Sequence, residues 1–197
     1  HAITFHGQEA HSGSTPMNAR HDALAAAAKL ALEIRAIAGQ HSDAVCTVGS
    51  VKTFPGIVTA VVGRCEATLD QRDLDPVVLA TMFREARQAS ERFAREERCT
   101  VEWSRIWNIE PIAFHPALLD LCDQAIREVA TATHRMPSGP LHDAAEVSRA
   151  GIPTVMMFVQ SVGGISHNKI EDTREEHLEM AVSAFDRLAS KTIAYLT

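Results

Sequence analysis

Apolar and polar positions change period several times along the chain, and each change marks an element. Residues 2–8 (AITFHGQ) read as a short strand. Pro16 opens a helical stretch with Thr15 as its N-cap: proline suits the first helical position, and a threonine hydroxyl can accept an otherwise orphaned N–H. Leu24, Ala27, Ala31, Ile34 and Ala38 recur at helical spacing, and Gly39 is a natural stop. Residues 44–52 (AVCTVGSVK) read as a strand, as do residues 60–72 (AVVGRCEATLDQR). In the latter, Arg64, Glu66, Thr68, Asp70 and Arg72 fall on one face, with Cys65, Ala67 and Leu69 on the other. Such alternation describes a sheet with one packed face and one open, polar face. Asp75 and Pro76 start a second helix, whose stripe is Leu79, Met82, Phe83, Ala86, Ser90 and Phe93. Residues 99–107 (CTVEWSRIW) close the unit as a strand.

The order β-α-β-β-α-β predicts an α+β fold for residues 1–110. It is the ferredoxin-like motif, two helices on one face of a four-stranded antiparallel sheet, ending near Pro111 to Pro116. Residues 111–197 follow a different rhythm. Pro116 starts a helix with Leu118, Leu119, Cys122, Ala125, Ile126 and Val129 on its apolar side, and a short helix runs from about Asp143 to Arg149. The continuous apolar run PTVMMFV, residues 153–159, is expected to be a strand buried on both faces. The loop SVGGISHN follows. Thr173 and Glu176 are spaced as a capping box for a last helix, with Leu178, Val182, Phe185, Leu188 and Ile193 expected to face inward. With one strand only, this segment reads as part of a larger α/β domain whose other strands lie before residue 1.

Composition narrows the function classes. A net charge of −6 argues against nucleic acid as the main partner. No apolar run approaches membrane-spanning length, and the N-terminus lacks the basic-then-apolar pattern of a signal peptide. Beginning on a histidine, the chain reads as a trimmed or truncated product. Cys46, Cys65, Cys99 and Cys122 form no C-x-x-C pair and read as reduced thiols in a cytoplasmic protein.

Among residues that could carry chemistry, His167 is the metal candidate: it follows the apolar strand and a Gly-Gly turn, where open α/β sheets place their sites. Imidazole is a good zinc ligand, but a site needs three or four. His142 stands at a helix start beside Asp143, which is favourable next to the helix dipole. His11 lies in a Gly/Ser turn, and Arg72 ends the alternating strand on its polar face with Asp70 two residues back.

Four motifs in order give these residues a common context: GQEAHSGSTPMNARHDAL (residues 7–24), TLDQR (68–72), SGPLHDA (138–144) and GISHN (164–168). They resemble G-x-x-x-H-A-G-x-T-P-M-x-x-R-x-D-A-L, T-L-D-x-R, S-G-x-x-H-D-A and G-x-S-H-N of the zinc-dependent hydantoinase/carbamoylase amidohydrolases, a branch of the M20-type metallopeptidases. The resemblance implies a metal-dependent hydrolase of N-carbamoyl-L-amino acids or related ureido acids. Residues 1–110 would be its lid and dimerisation domain, and residues 111–197 the C-terminal portion of its catalytic domain. It implies that His11 stabilises the developing oxyanion, reaching the neighbouring subunit's site in a homodimer. Arg72 would clamp the substrate carboxylate, a task suited to a guanidinium fork. His142 would approach the substrate, and His167 would be the last ligand of a two-metal centre, zinc with manganese, cobalt or nickel as alternatives. Thr59 stands where many relatives carry the substrate-binding asparagine of N-V-I-P-G; its hydroxyl is shorter and cannot offer both an NH₂ and a carbonyl.

The family's other ligands and its general base precede the residues present in this chain. Glu96/Glu97 and Glu175/Glu176 do not replace them, since both pairs lie on charged helix surfaces. The chain resembles the second half of a longer enzyme, with little metal binding or turnover expected of it alone. The rival readings are another M20-type activity, aminoacylase or dipeptidase, and a non-catalytic dimerisation module.

Overall fold

A computed structural model describes His1–Thr197, which divides into two compact units, His1–Pro111 and Ile112–Thr197. The chain is mixed α/β. In the first unit, strands β1 (Ala2–His6), β3 (Val45–Phe54), β5 (Arg64–Arg72) and β6 (Thr100–Ser104) form a sheet of order β3-β5-β1-β6. All its pairings are antiparallel. Helices α1 (Ala23–Ala38) and α2 (Pro76–Glu96) pack on this sheet and on each other. The core joins Ile3 and Phe5 of β1 and Cys65 and Leu69 of β5 to Leu30, Ile34, Met82, Ala86 and Phe93 of the helices. The alternation of residues 64–72 is realised as expected, with Cys65, Ala67 and Leu69 buried and Arg64 and Arg72 exposed. So is the start of α2, where Asp75 accepts the Val77 N–H at 2.7 Å and Pro76 needs no partner for its missing N–H.

The start of α1 differs from expectation. Thr15 caps nothing; Pro16 opens only a 3-10 turn, Met17–Ala19. The helix begins six residues beyond Met17, where the Asp22 carboxylate accepts the N–H groups of Leu24 and Ala25 at 3.0 and 3.1 Å. A carboxylate that satisfies two orphan donors makes the stronger cap. The expected stripe is largely kept: Ala27, Ile34 and Ala38 are buried, Leu24 is exposed, and Ala23, Ala26, Leu30 and Ile37 widen the buried face. The expected strand 60–72 is also two pieces, β4 (Ala60–Val61) and β5, parted at Val62–Gly63.

Ser90 is the one buried polar residue of the core. Its hydroxyl accepts the Trp103 indole N–H at 3.0 Å and donates to the Arg87 carbonyl at 2.7 Å. Ser90→Ala removes the acceptor and is expected to cost about 1–2 kcal/mol. Urea titration followed by tryptophan fluorescence measures it, and an unchanged midpoint would refute this role. Cys46, Cys65, Cys99 and Cys122 are all free thiols, and burial pushes the first three up to about 11.

The second unit holds α3 (Pro116–Arg127), α4 (Asp143–Arg149) and α5 (Glu175–Leu196). Cys122 and Ala125 of α3 pack with Leu188 of α5, flanked by Val155 and Met157. Glu128 ties the same pair of helices through Arg187 at 3.0 Å and Lys191 at 2.6 Å. Three expectations fail here. Residues 153–159 form no strand, because the unit supplies no strand to build a ladder with; Thr154 O accepts the His115 N–H at 3.0 Å, and Pro153, Phe158 and Val159 are exposed. The capping box is absent: Arg174 precedes α5 without a side-chain cap, and the Thr173 N–H goes to Asp172. Of the five α5 positions expected inside, only Leu188 is buried, since α3 covers a narrow strip of the helix while Val182, Phe185 and Ile193 stay open. No helix is long and apolar enough to cross a membrane.

Candidate active site

The first motif is a device for carrying His11 out of the sheet. Beyond β1 the chain crosses itself at Gly7 and Gly63. Gly7 donates its N–H to Gly63 O at 2.7 Å, and Gln8 donates to His21 O at 2.9 Å. A Cβ on Gly7 would stand 2.1 Å from His21 O, and one on Gly63 would stand 2.7 Å from Glu9 N, so no side chain fits at either position. Past the crossing, β2 (Ala10–His11) pairs with β4 in a two-stranded ribbon, with His11 opposite Ala60. Ser12 N–H then donates to Thr59 O at 2.9 Å. This pairing brings His11 and Thr59 together from distant parts of the sequence.

The His11 ring is oriented from its own loop. Gly13 N–H donates to His11 Nδ1 at 3.0 Å. A neutral imidazole accepting at Nδ1 carries its hydrogen on Nε2, which is then the donor. The loop in turn is fastened by Arg20, which donates from Nη2 to Ser12 O at 2.6 Å and from Nε to Thr15 O at 3.1 Å. Gly13, Arg20 and Asp22 were visible as fixed letters of the motif, but only these contacts give them roles.

Arg72 lies at the opposite end of β5 from Gly63, about 25 Å along the strand from Arg64 by ordinary strand rise. Its Nε and Nη2 both reach Asp70 Oδ2 at 2.7 Å, so Asp70 holds the guanidinium as anticipated. The first unit therefore does not bring Arg72 beside His11.

In the second unit His142 is the N-cap of α4, its Nδ1 accepting Ala144 N–H at 3.1 Å. This is the same backbone lock, two residues on, that His11 uses, and it too leaves Nε2–H as the donor. His167 is exposed in the loop after the 3-10 turn Val162–Gly164. Its backbone is left-handed at φ 56°, a conformation costly for a non-glycine residue, and its N–H donates to Glu171 Oε2 at 2.8 Å. No three His, Cys, Asp or Glu side chains are grouped to hold a metal ion. Glu96 and Glu97 are engaged with Lys29 at 2.8 and 2.7 Å. His167 is thus a single donor where a complete site needs three or four. The residues present do not make a metal centre, and no chemical step through a metal follows from them.

The chain belongs to peptidase family M20/M25/M40, which matches residues 3–191. Within it the chain is 29% identical, over 88% of its length, to an N-carbamoyl-L-amino acid amidohydrolase of Geobacillus stearothermophilus, covering 42% of that protein. It is 28% identical, again over 88% of its length, to an allantoate amidohydrolase of Escherichia coli (strain K12), covering 42% of that protein. Among solved structures it is similar to an amidase of the hydantoinase/carbamoylase family from Burkholderia multivorans. The TM-score is 0.84 and the identity 36%, over 95% of this chain and 46% of that one. The resemblance read from the four motifs is borne out. The chain spans less than half the length of the relatives it matches.

Proposed function

We propose that this chain is part of a metal-dependent amidohydrolase that cleaves a C–N bond of N-carbamoyl-L-amino acids or related ureido acids. The observation that carries this reading is the built state of His11: exposed on a ribbon beside Thr59, its Nδ1 held by Gly13 N–H and its Nε2–H left as a donor. A fixed donor is what a carbonyl oxygen gaining charge requires, and such donors contribute about 3 kcal/mol to a transition state. Arg72, braced by Asp70, suits the carboxylate that every ureido acid carries. His142 presents a second locked donor to the substrate, and Thr59 would contact it through a hydroxyl in place of an amide. Two divalent metal ions would take His167 as one ligand and the remaining ligands from outside these residues.

The strand order β3-β5-β1-β6 supports reading the first unit as a ferredoxin-like lid. The opposite placement of His11 and Arg72 along β5 supports a homodimer in which the two serve one site from different subunits. No small ureido acid spans that separation. A row of exposed residues on α1, Leu24, Ala28 and Leu32, beside the edge strand β3, offers such a dimer an apolar contact.

The test is hydrolysis by the chain in its full-length context. N-carbamoyl-L-amino acids and allantoate are compared with N-acetyl amino acids and dipeptides. Turnover confined to the ureido compounds is expected. Turnover confined to the acyl or peptide substrates would replace this reading with aminoacylase or dipeptidase activity.

A further inference from the structure

The His11 ring is set by its immediate neighbour, and that neighbour is set by a residue nothing above assigns to the reaction. We propose that Arg20 is a positioning residue for His11, acting through Gly13, and that the two together impose the Nε2–H tautomer and the aim of the ring. The proposal rests on the amidohydrolase reading for its catalytic consequence, but its structural half stands apart from it.

The geometry has three parts. First, Gly13 N–H reaches Nδ1 at 3.0 Å, a contact that exists only if the peptide between Ser12 and Gly13 is turned toward the ring. Second, the other end of that peptide, Ser12 O, is held by Arg20 Nη2, while Arg20 Nε holds Thr15 O on the far side of Gly13. One planar guanidinium therefore fixes both carbonyls that bracket Gly13, and its rigid fork sets their spacing. Third, Gly13 leaves no slack. A Cβ there would stand 3.2 Å from His11 Cε1 and 3.5 Å from Nδ1, so any side chain presses on the ring itself.

Arg20 is half-buried, and the loop it braces is otherwise exposed at His11, Gly13 and Ser14. The remaining ties of this loop are Ser12 N–H to Thr59 O and Thr15 N–H to His11 O, at 2.9 and 3.1 Å. Neither of these orients the Ser12–Gly13 peptide. Without Arg20 that peptide is free to rotate, and a solvent-exposed imidazole then samples both neutral tautomers and several ring orientations. Part of the population would then present Nδ1–H instead of Nε2–H, and displacement of the donor would add to the loss. Misplacement of a catalytic group by about 1 Å can cost roughly 100-fold in rate.

Arg20→Ala, Arg20→Lys and Gly13→Ala are compared with the unmodified full-length protein. The tautomer is read from the ¹⁵N shifts of selectively labelled histidine ring nitrogens, with His11→Gln assigning the signal. Steady-state kinetics on an N-carbamoyl-L-amino acid are run alongside. The expected result is loss of the single Nε2–H pattern of His11 in all three variants. With it kcat should fall about 10–100-fold and KM change little. Arg20→Lys should not rescue, because an ammonium keeps the charge but not the two-pronged spacing. Melting temperatures identify any variant that fails to fold, and the remaining variants then decide. A His11 ring that keeps its Nε2–H pattern in folded Arg20→Ala overturns the proposal, as does full rescue by lysine. A protein that hydrolyses no ureido compound overturns the amidohydrolase reading instead, and the ring signal still decides the role of Arg20.

Discussion

In the full-length enzyme, His11→Ala is expected to lower kcat on an N-carbamoyl-L-amino acid about 100–1,000-fold, as when a single oxyanion donor is removed. KM should change little, because on the proposed function the Nε2–H would be aimed at charge that develops only as the bond breaks. The same logic makes a sharper experiment. On the proposed function Arg72→Ala should raise KM strongly, since it would remove the partner of the substrate carboxylate, a guanidinium held in place by Asp70. Each variant alone should be nearly inactive at low substrate. Dissociated, mixed and reassociated, they should regain turnover, because the proposed mixed dimer would contain one site with both residues intact. Mixing without recovery would show that His11 and Arg72 do not serve one site from two chains. Full activity in His11→Ala would remove His11 from the mechanism altogether.

Gly7→Ala is the substitution expected to cost the most stability. The added Cβ would sit 2.1 Å from His21 O, a backbone atom that cannot swing aside as a side chain would. Relieving it parts the crossing and weakens two backbone hydrogen bonds, Gly7 N–H to Gly63 O and Gln8 N–H to His21 O. A loss of about 3 kcal/mol or more follows, placing the change among the severe single substitutions. For a unit of this size that is a fall of more than about 10 °C in melting temperature. Gly139→Ala is the control, because a Cβ there meets nothing within 4 Å. Circular dichroism melts of the two variants settle the matter, and equal melting temperatures would contradict the close crossing.

Much of the first unit could be read from residue pattern because its elements bury their faces against one another. The alternation from Arg64 to Arg72 and the stripe from Leu79 to Phe93 need only each other to be satisfied. The start of α1 was misread where two caps compete, and the decisive signal, Asp22 immediately before an alanine-rich run, was present in the sequence. The second unit was less legible for a physical reason. Apolar residues such as Val182 and Phe185 of α5 record a preference for burial, not the identity of the covering surface, and within this unit nothing covers them. Residues 153–159 likewise have the composition of a strand without a neighbour to pair with.

The candidate site was legible as letters and not as geometry. His11, Arg72, His142 and His167 were each recognisable within a motif, but a motif does not say which of them meet. The partnership of His11 with Thr59 is made by a ribbon only two residues wide on each strand. The opposite placement of Arg72 is a matter of strand length. The backbone locks on His11 and His142 depend on peptide orientation, which residue type does not encode.

The crossing at Gly7 and Gly63 also separates what can vary from what cannot. On its sheet side lies the buried core. On its far side the chain turns through Gly56, Ile57, Val58 and Thr59, all exposed, with Val58 98% accessible and Ile57 61%. Substitutions in that stretch remove no core packing, so mutations there escape the stability penalty that polices the sheet. On the proposed function, the turn beside His11 is therefore free to change without loss of the scaffold, and it would be the first segment to randomise in a library aimed at new substrates.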